Sequence, residues 1–172
     1  MIRKATEKDV PAIEQTYIEL LTHEKNGVSH SNWRLGLYPT GETAARAVER
    51  GDIFVLEDQG EIAASVILNQ EQAPCYNEIP WRFEAAPTEV LVVHTLCVPP
   101  SKGGKGFATQ MIAFAKALAV ETDCRVIRMD TFAQNEPAKT LYLKNGFRIA
   151  GYADAMLEGV IPEELVMLEY LL

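Results

Sequence analysis

A chain of 172 residues is long enough to bury about two thirds of its unfolded surface in one core, so a single domain over 1–172 is expected. With 48% hydrophobic and 23% charged residues, disorder is excluded as the dominant state, and a net charge of −8 weighs against sequence-independent nucleic-acid binding, which needs clustered Lys and Arg. Cys75, Cys97 and Cys124 are odd in number, with no CxxC pair and no histidine at ligand spacing, so they read as reduced thiols of a cytoplasmic protein and no metal is expected.

The N-terminal MIRKATEKDVPAIEQ carries charges every few residues and no apolar segment, so it is neither a signal peptide nor a membrane span, and no membrane partner is expected. Residues 2–5 read as a short strand, and Thr6 with Asp9 three positions on resembles a capping box. Ile13, Tyr17, Leu20 and Leu21 repeat at helical spacing until Asn26-Gly27 stops the pattern. Residues 27–41 are irregular and hold Trp33 and Tyr38; a short helix then runs from Thr40 or Gly41 through Arg50 to Gly51. Residues 52–56 and 61–68 are apolar and β-branched, joined by Asp58-Gln59-Gly60, so they read as antiparallel neighbours in a hairpin. The following stretch, 69–88, is rich in proline, aromatics and charge, and loops of that length are usually functional or mobile.

Residues 89–98, EVLVVHTLCV, form the most apolar strand and run straight into PPSKGGKGFATQMIAFAKAL. Without side chains at Gly103, Gly104 and Gly106 the backbone is free to take positive φ, and the first helical N–H groups stay unpaired and favour an anion. A turn that binds nothing is the plainer alternative. A Walker loop is excluded, because Pro99 stands where its first glycine belongs and Gly106 where Ser or Thr must follow the lysine. A Rossmann fingerprint fails at Thr109, where its third glycine is required. Residues 125–131 are a strand, 135–145 a helix ended by Gly146, and 147–152 and 165–171 the last two strands. Strand, glycine turn, helix and strand over 89–131 make a βαβ crossover, hence one parallel pair in a mixed sheet.

The strand end LCVPP, the loop GGKGFA and the downstream NEPAKTLYLKNGF together resemble the GNAT superfamily of acetyl-CoA-dependent N-acetyltransferases, over nearly the whole chain. The resemblance implies an α/β (α+β) fold, a mostly antiparallel central sheet of about six to seven strands with helices on both faces. It implies acetyl-CoA or coenzyme A as cofactor, with the pyrophosphate on Gly103, Gly104, Lys105, Gly106, Phe107 and Ala108. Gly106 and Ala108 fill the last slots of the family's loop pattern, whereas Gly103 stands where Gln or Arg is usual; Lys102 or Lys105 are candidates for the missing charge, or solvated loop lysines. Backbone N–H groups at Leu96, Cys97 and Val98 are the family-like donors to the thioester carbonyl. Asn135 and Lys139 fall beside the pantetheine or pyrophosphate and Tyr142 near the sulfur, as catalytic acid; their i, i+4, i+7 spacing agrees with one helix face. A core tyrosine with its hydroxyl at the rim is the alternative for Tyr142.

The chemistry requires a neutral amine, so a base, or a water relayed to one, must take a proton near neutral pH. Strict alternation puts Val92, His94, Leu96 and Val98 on one face of the central strand, where His94 alone titrates near neutrality. A hydrogen-bonded structural histidine is the alternative; Glu89, of opposite parity, ranks second, and His23 and His30 have no motif around them. The acceptor is expected to be a small-molecule primary amine, selected by residues 27–41 and 69–88 through Trp33, Tyr38, Tyr76, Trp81 and Phe83, unless these only pack. A non-catalytic acyl-CoA-binding module is the rival reading, donors longer than acetyl stay open, and the last strand is the candidate surface for a homodimer.

Overall fold

The computed structural model describes residues 1–172. Seven strands follow the order β1-β2-β3-β4-β5-β7-β6, all neighbours antiparallel where register is defined except the parallel pair β4 and β5. They are β1 Ile2–Lys4, β2 Ile53–Asp58, β3 Glu61–Asn69, β4 Val90–Cys97, β5 Val126–Phe132, β6 Arg148–Leu157 and β7 Ile161–Leu171. The helices are α1 Val10–Lys25, α2 Gly41–Arg50, α3 Phe107–Glu121 and α4 Glu136–Lys144. No helix is long and apolar enough to cross a membrane. The chain parts into two compact units, one of Met1–Ser29, Trp33–Leu68 and Thr95–Phe114, the other of His30–Asn32, Asn69–His94 and Ala115–Leu172.

In the first unit the anticipated capping box forms. Thr6 N donates to Asp9 Oδ2 at 2.7 Å, and the same carboxylate receives Arg3 through two bonds of 2.8 and 2.9 Å. This fastens β1 to the start of α1, whose Ile13 and Tyr17 pack with Ala44 and Ala47 of α2 and with Ile53, Val55, Ile67 and Cys97 of the strands. Helix α2 ends on Gly51 at φ 75°, and the β2–β3 turn places Gln59 and Gly60 both at positive φ, the backbone that a two-residue hairpin needs.

The second unit is built on β5, β7 and β6. Its last hairpin is longer than residues 147–152 and 165–171 suggest, because pairing continues to Leu157↔Ile161 and closes through Glu158 and Gly159 at φ 49° and 68°. Pro162 is accommodated because β5 pairs only with Leu165 to Leu171 of this strand, leaving its missing N–H on the open side. The hairpin also turns β7 inward between β5 and β6, so the edges of the sheet are β1 and β6 and not the last strand.

Candidate active site

Residues 103–106 form an exposed turn leading into α3, whose first residue, Phe107, is buried. Gly104 and Gly106 take φ 74° and 76°, with nothing within 4 Å of where a Cβ would stand, so glycine is demanded there by backbone conformation and open space remains above. The freedom expected at Gly103 is not used: its φ is −63°, and a Cβ would come within 3.2 Å of Pro100 O. The first helical bond beyond the turn runs from Gln110 N to Gly106 O, so the N–H groups of Phe107, Ala108 and Thr109 are those a helix start leaves for an anion. Lys102 is engaged by Glu61 at 2.5 Å, while Lys105 stays exposed. An exposed cradle of N–H groups with this shape fits a diphosphate.

Strand β4 departs from strict alternation. Thr95 lies at φ 49°, an uncommon conformation for a β-branched residue, and its hydroxyl is hydrogen-bonded to Tyr38 Oη. Beyond it Leu96 and Val98 are partly open, whereas Cys97 is fully covered and its thiol, facing Thr16, is pushed up to about 12 by burial. Any contact Cys97 makes with a ligand is therefore through its backbone. His94 Nε2 meets Asn69 Oδ1 at 2.8 Å.

On α4 the expected face is corrected. Asn135 is not on the helix but caps it, its Oδ1 accepting from Ala138 N and its Nδ2 donating to Thr131, both at 3.2 Å. Lys139 is paired with Glu136 at 2.6 Å. Tyr142 lies with its ring buried beside Phe147, and its hydroxyl takes no hydrogen bond from the chain. Burial pushes its phenol well above the ordinary range, and the nearby charge of Asp130 adds to this.

Asp130, absent from the sequence reading, links these groups. Tyr76 Oη donates to Asp130 Oδ2 at 2.7 Å. Although the residue keeps part of its surface open, its carboxyl is deep enough that burial pushes its pKa up; the Tyr76 bond and the charge of His94 pull it back. In a strand reading VIRMDTF, Asp130 shares a face with Arg128, which looks like a solvated face; only Tyr76, far away in sequence, shows otherwise.

The five aromatics assigned to the acceptor divide. Trp33 and Tyr38 meet edge to face at 5.8 Å. Tyr76 and Trp81, their ring centroids 5.5 Å apart, pack with Val90, Val92 and Met167, and Trp81 Nε1 donates to Tyr76 O, which holds Trp81 at the edge of this core. The backbone of Phe83 is held by Arg128 and Glu169. The segment 69–88 is thus fastened rather than loose. No three His, Cys, Asp or Glu side chains are grouped to hold a metal ion.

The sequence pattern of the Acetyltransferase (GNAT) family matches residues 15–147. A streptothricin acetyltransferase of Escherichia coli is 37% identical over 71 residues, which are 41% of this chain and 37% of that protein. A GNAT acetyltransferase of Listeria monocytogenes superposes with TM-score 0.75 at 20% identity, covering 100% of this chain and 94% of its own. A ribosomal-protein-alanine N-acetyltransferase of Brucella melitensis gives 0.72 at 20%, covering 100% and 99%. A Salmonella typhimurium structure solved with its cofactor acetyl-CoA gives 0.72 at 16%, covering 99% and 92%. The parallel β4–β5 pair, the glycine turn between them and the match over most of the chain have one explanation: this protein belongs to the GNAT acetyltransferase family.

Proposed function

We propose that the chain, acting as one catalytic domain, transfers the acetyl group of acetyl-CoA directly to a primary amine of a small molecule. Acetyl transfer is the activity of the family, and acetyl-CoA is its cofactor. The observation that carries the finer reading is Tyr142, a buried tyrosine whose hydroxyl is left without a partner by the fold. A non-catalytic acyl-CoA binder has no need of such a group.

In this reading the N–H groups of Gly104 to Ala108 and the exposed Lys105 receive the diphosphate, the Gly103 N–H being spent on Pro100 O, and the backbone at Leu96, Cys97 and Val98 supplies donors to the thioester carbonyl. Asn135 contributes by shaping the start of α4. Lys139, beside Glu136, is the remaining cation on that helix face. Acetyl-CoA supplies an acetyl thioester whose sulfur departs as a thiolate. Tyr142 keeps its proton at neutral pH because burial disfavours the phenolate, and the same dry surroundings make a departing thiolate more basic, so Tyr142 Oη hands its proton over only as that charge develops. His94, oriented through Asn69, is the proposed base for the amine.

Calorimetric titration with acetyl-CoA and coenzyme A, followed by an acetyl-transfer screen over polyamines, aminoglycosides, amino acids and peptide N-termini, tests this. Binding with transfer to at least one amine supports it; binding with no transfer returns the chain to an acyl-CoA sensor.

A further inference from the structure

We propose that Asp130 is the seat of the acceptor's ammonium group, which makes the substrate class a primary amine that arrives protonated. This rests on the reading of the chain as an N-acetyltransferase and names the charge its acceptor carries.

The argument is one of missing charge. A carboxylate withdrawn from water is ordinarily matched by a cation at contact distance, because an unpaired buried charge is strongly disfavoured. Glu169 of the same unit obeys the rule and holds Arg148. Asp130 does not: no lysine, arginine or histidine forms an ion pair with it, and its one hydrogen bond comes from the neutral hydroxyl of Tyr76. The groups around it are poor substitutes. Tyr76 and Cys75 lie on the segment before β4, and both are driven further toward their neutral forms by Asp130. Tyr142 on α4 responds in the same way. His94 on β4 acts through space, its Nε2 occupied by Asn69. Met167 lies opposite on β7. Arg128, two residues back on β5, spends its guanidinium on Gln72 Oε1 at 2.7 Å, Phe83 O at 3.1 Å and the face of Trp81.

The carboxylate is nonetheless positioned. Tyr76, itself buried, fixes Oδ2 and leaves Oδ1 without a hydrogen bond from the chain, and the residue keeps a partial opening to solvent. An anion that is oriented, short of a counter-charge and reachable is complementary to an alkylammonium. Tyr76 is then a positioning residue, and His94 remains the proposed base.

The first measurement needs no ligand. Asp130→Asn keeps the shape and can still accept from Tyr76 while removing the charge. Because the folded pKa of Asp130 is raised, its favourable contribution is present below the unfolded pKa and lost as pH rises through the folded one. The Asn variant should therefore melt no lower than wild type at pH 7, with its relative advantage shrinking toward pH 4; a variant of clearly lower melting temperature at pH 7 would make Asp130 a structural partner and overturn the proposal. The second is calorimetric titration of benzylammonium chloride, with benzyl alcohol as uncharged control, into the protein saturated with coenzyme A. Wild type should bind the ammonium and not the alcohol, Asp130→Asn should weaken the ammonium roughly tenfold or more, and Tyr76→Phe should weaken it by less. Equal binding by wild type and Asp130→Asn, or none by wild type, refutes the assignment. Ammonium binding that depends on Asp130 in a protein that acetylates no amine would instead sink the proposed function and leave this site standing.

Discussion

Tyr142→Phe removes one oxygen that no other side chain uses, so the fold has no reason to respond. If that hydroxyl protonates the leaving sulfur, kcat should fall by roughly one to three orders of magnitude, while the acetyl-CoA dissociation constant stays within about twofold. Steady-state kinetics on a good acceptor, beside a binding titration, decides this; unchanged turnover removes the acid role. Gly106 presents the opposite case. Its φ of 76° penalises any Cβ by about 1 kcal/mol or more, although the space above it is open. Gly106→Val should raise the acetyl-CoA KM roughly tenfold with little change in acceptor KM, and an unaltered cofactor KM would mean that the turn does not hold the diphosphate.

At the scale of elements, each unit has a charge cluster of its own, and the two work by different physics. Arg3, Asp9 and Glu57 tie β1, the start of α1 and β2 together at a partly exposed site. Asp9, held by Arg3 and by the Thr6 N–H, has its carboxyl kept well below the usual carboxylate range. A depressed pKa contributes stability above the unfolded value near 4 and loses it as pH falls through the folded one. Asp9→Asn should cost about 1–2 kcal/mol at pH 7, and in urea melts the difference from wild type should narrow as pH falls below the unfolded value near 4 toward the depressed folded one. In the second unit Arg128, Glu169 and Arg148 lie across β5, β7 and β6 at paired positions. Glu169 is fully buried, holds Arg148, and accepts the backbone N–H groups of Arg82 and Phe83 at 2.8 and 3.4 Å. Glu169→Gln leaves the Arg148 guanidinium without its carboxylate and removes the anion opposite Arg128, so a loss of about 3–5 kcal/mol is expected by urea denaturation. Segment 82–83 should then become protease-sensitive before the sheet does.

For the whole molecule, the net charge of −8 matters to its two substrates in opposite ways. Raising ionic strength from about 0.02 to 0.5 M should raise the KM of a cationic acceptor and not that of an uncharged aromatic amine such as aniline, while lowering that of the anionic cofactor. Initial-rate measurements across a salt series test both signs. How much of this is legible in the sequence depends on how local each cause is. The glycine turn, the Thr6–Asp9 capping box and the β2–β3 hairpin are set by a few adjacent residues and can be read directly. The twist at Thr95 gives no warning, because a β-branched residue in an apolar run looks like ordinary strand. Arg128 and Asp130 alternate as a wetted face would, and only their distant neighbours Glu169 and Tyr76 reveal that Arg128 is buried and that the Asp130 carboxylate is held in place. The last hairpin is obscured by Gly159 and Pro162, which look like loop residues until pairing with β6 accommodates them.

The carboxylate of Asp130, held by Tyr76 but with no cation in contact, bears on how this protein behaves under selection. A resting enzyme that keeps an uncompensated anion for its substrate is not at its stability maximum, and the simplest route to a hotter melting point is to discard that anion. A library sorted for heat resistance alone should therefore accumulate substitutions at position 130 in proteins that fold well and acetylate poorly. One sorted for resistance to heat in the presence of an alkylammonium salt should retain the aspartate.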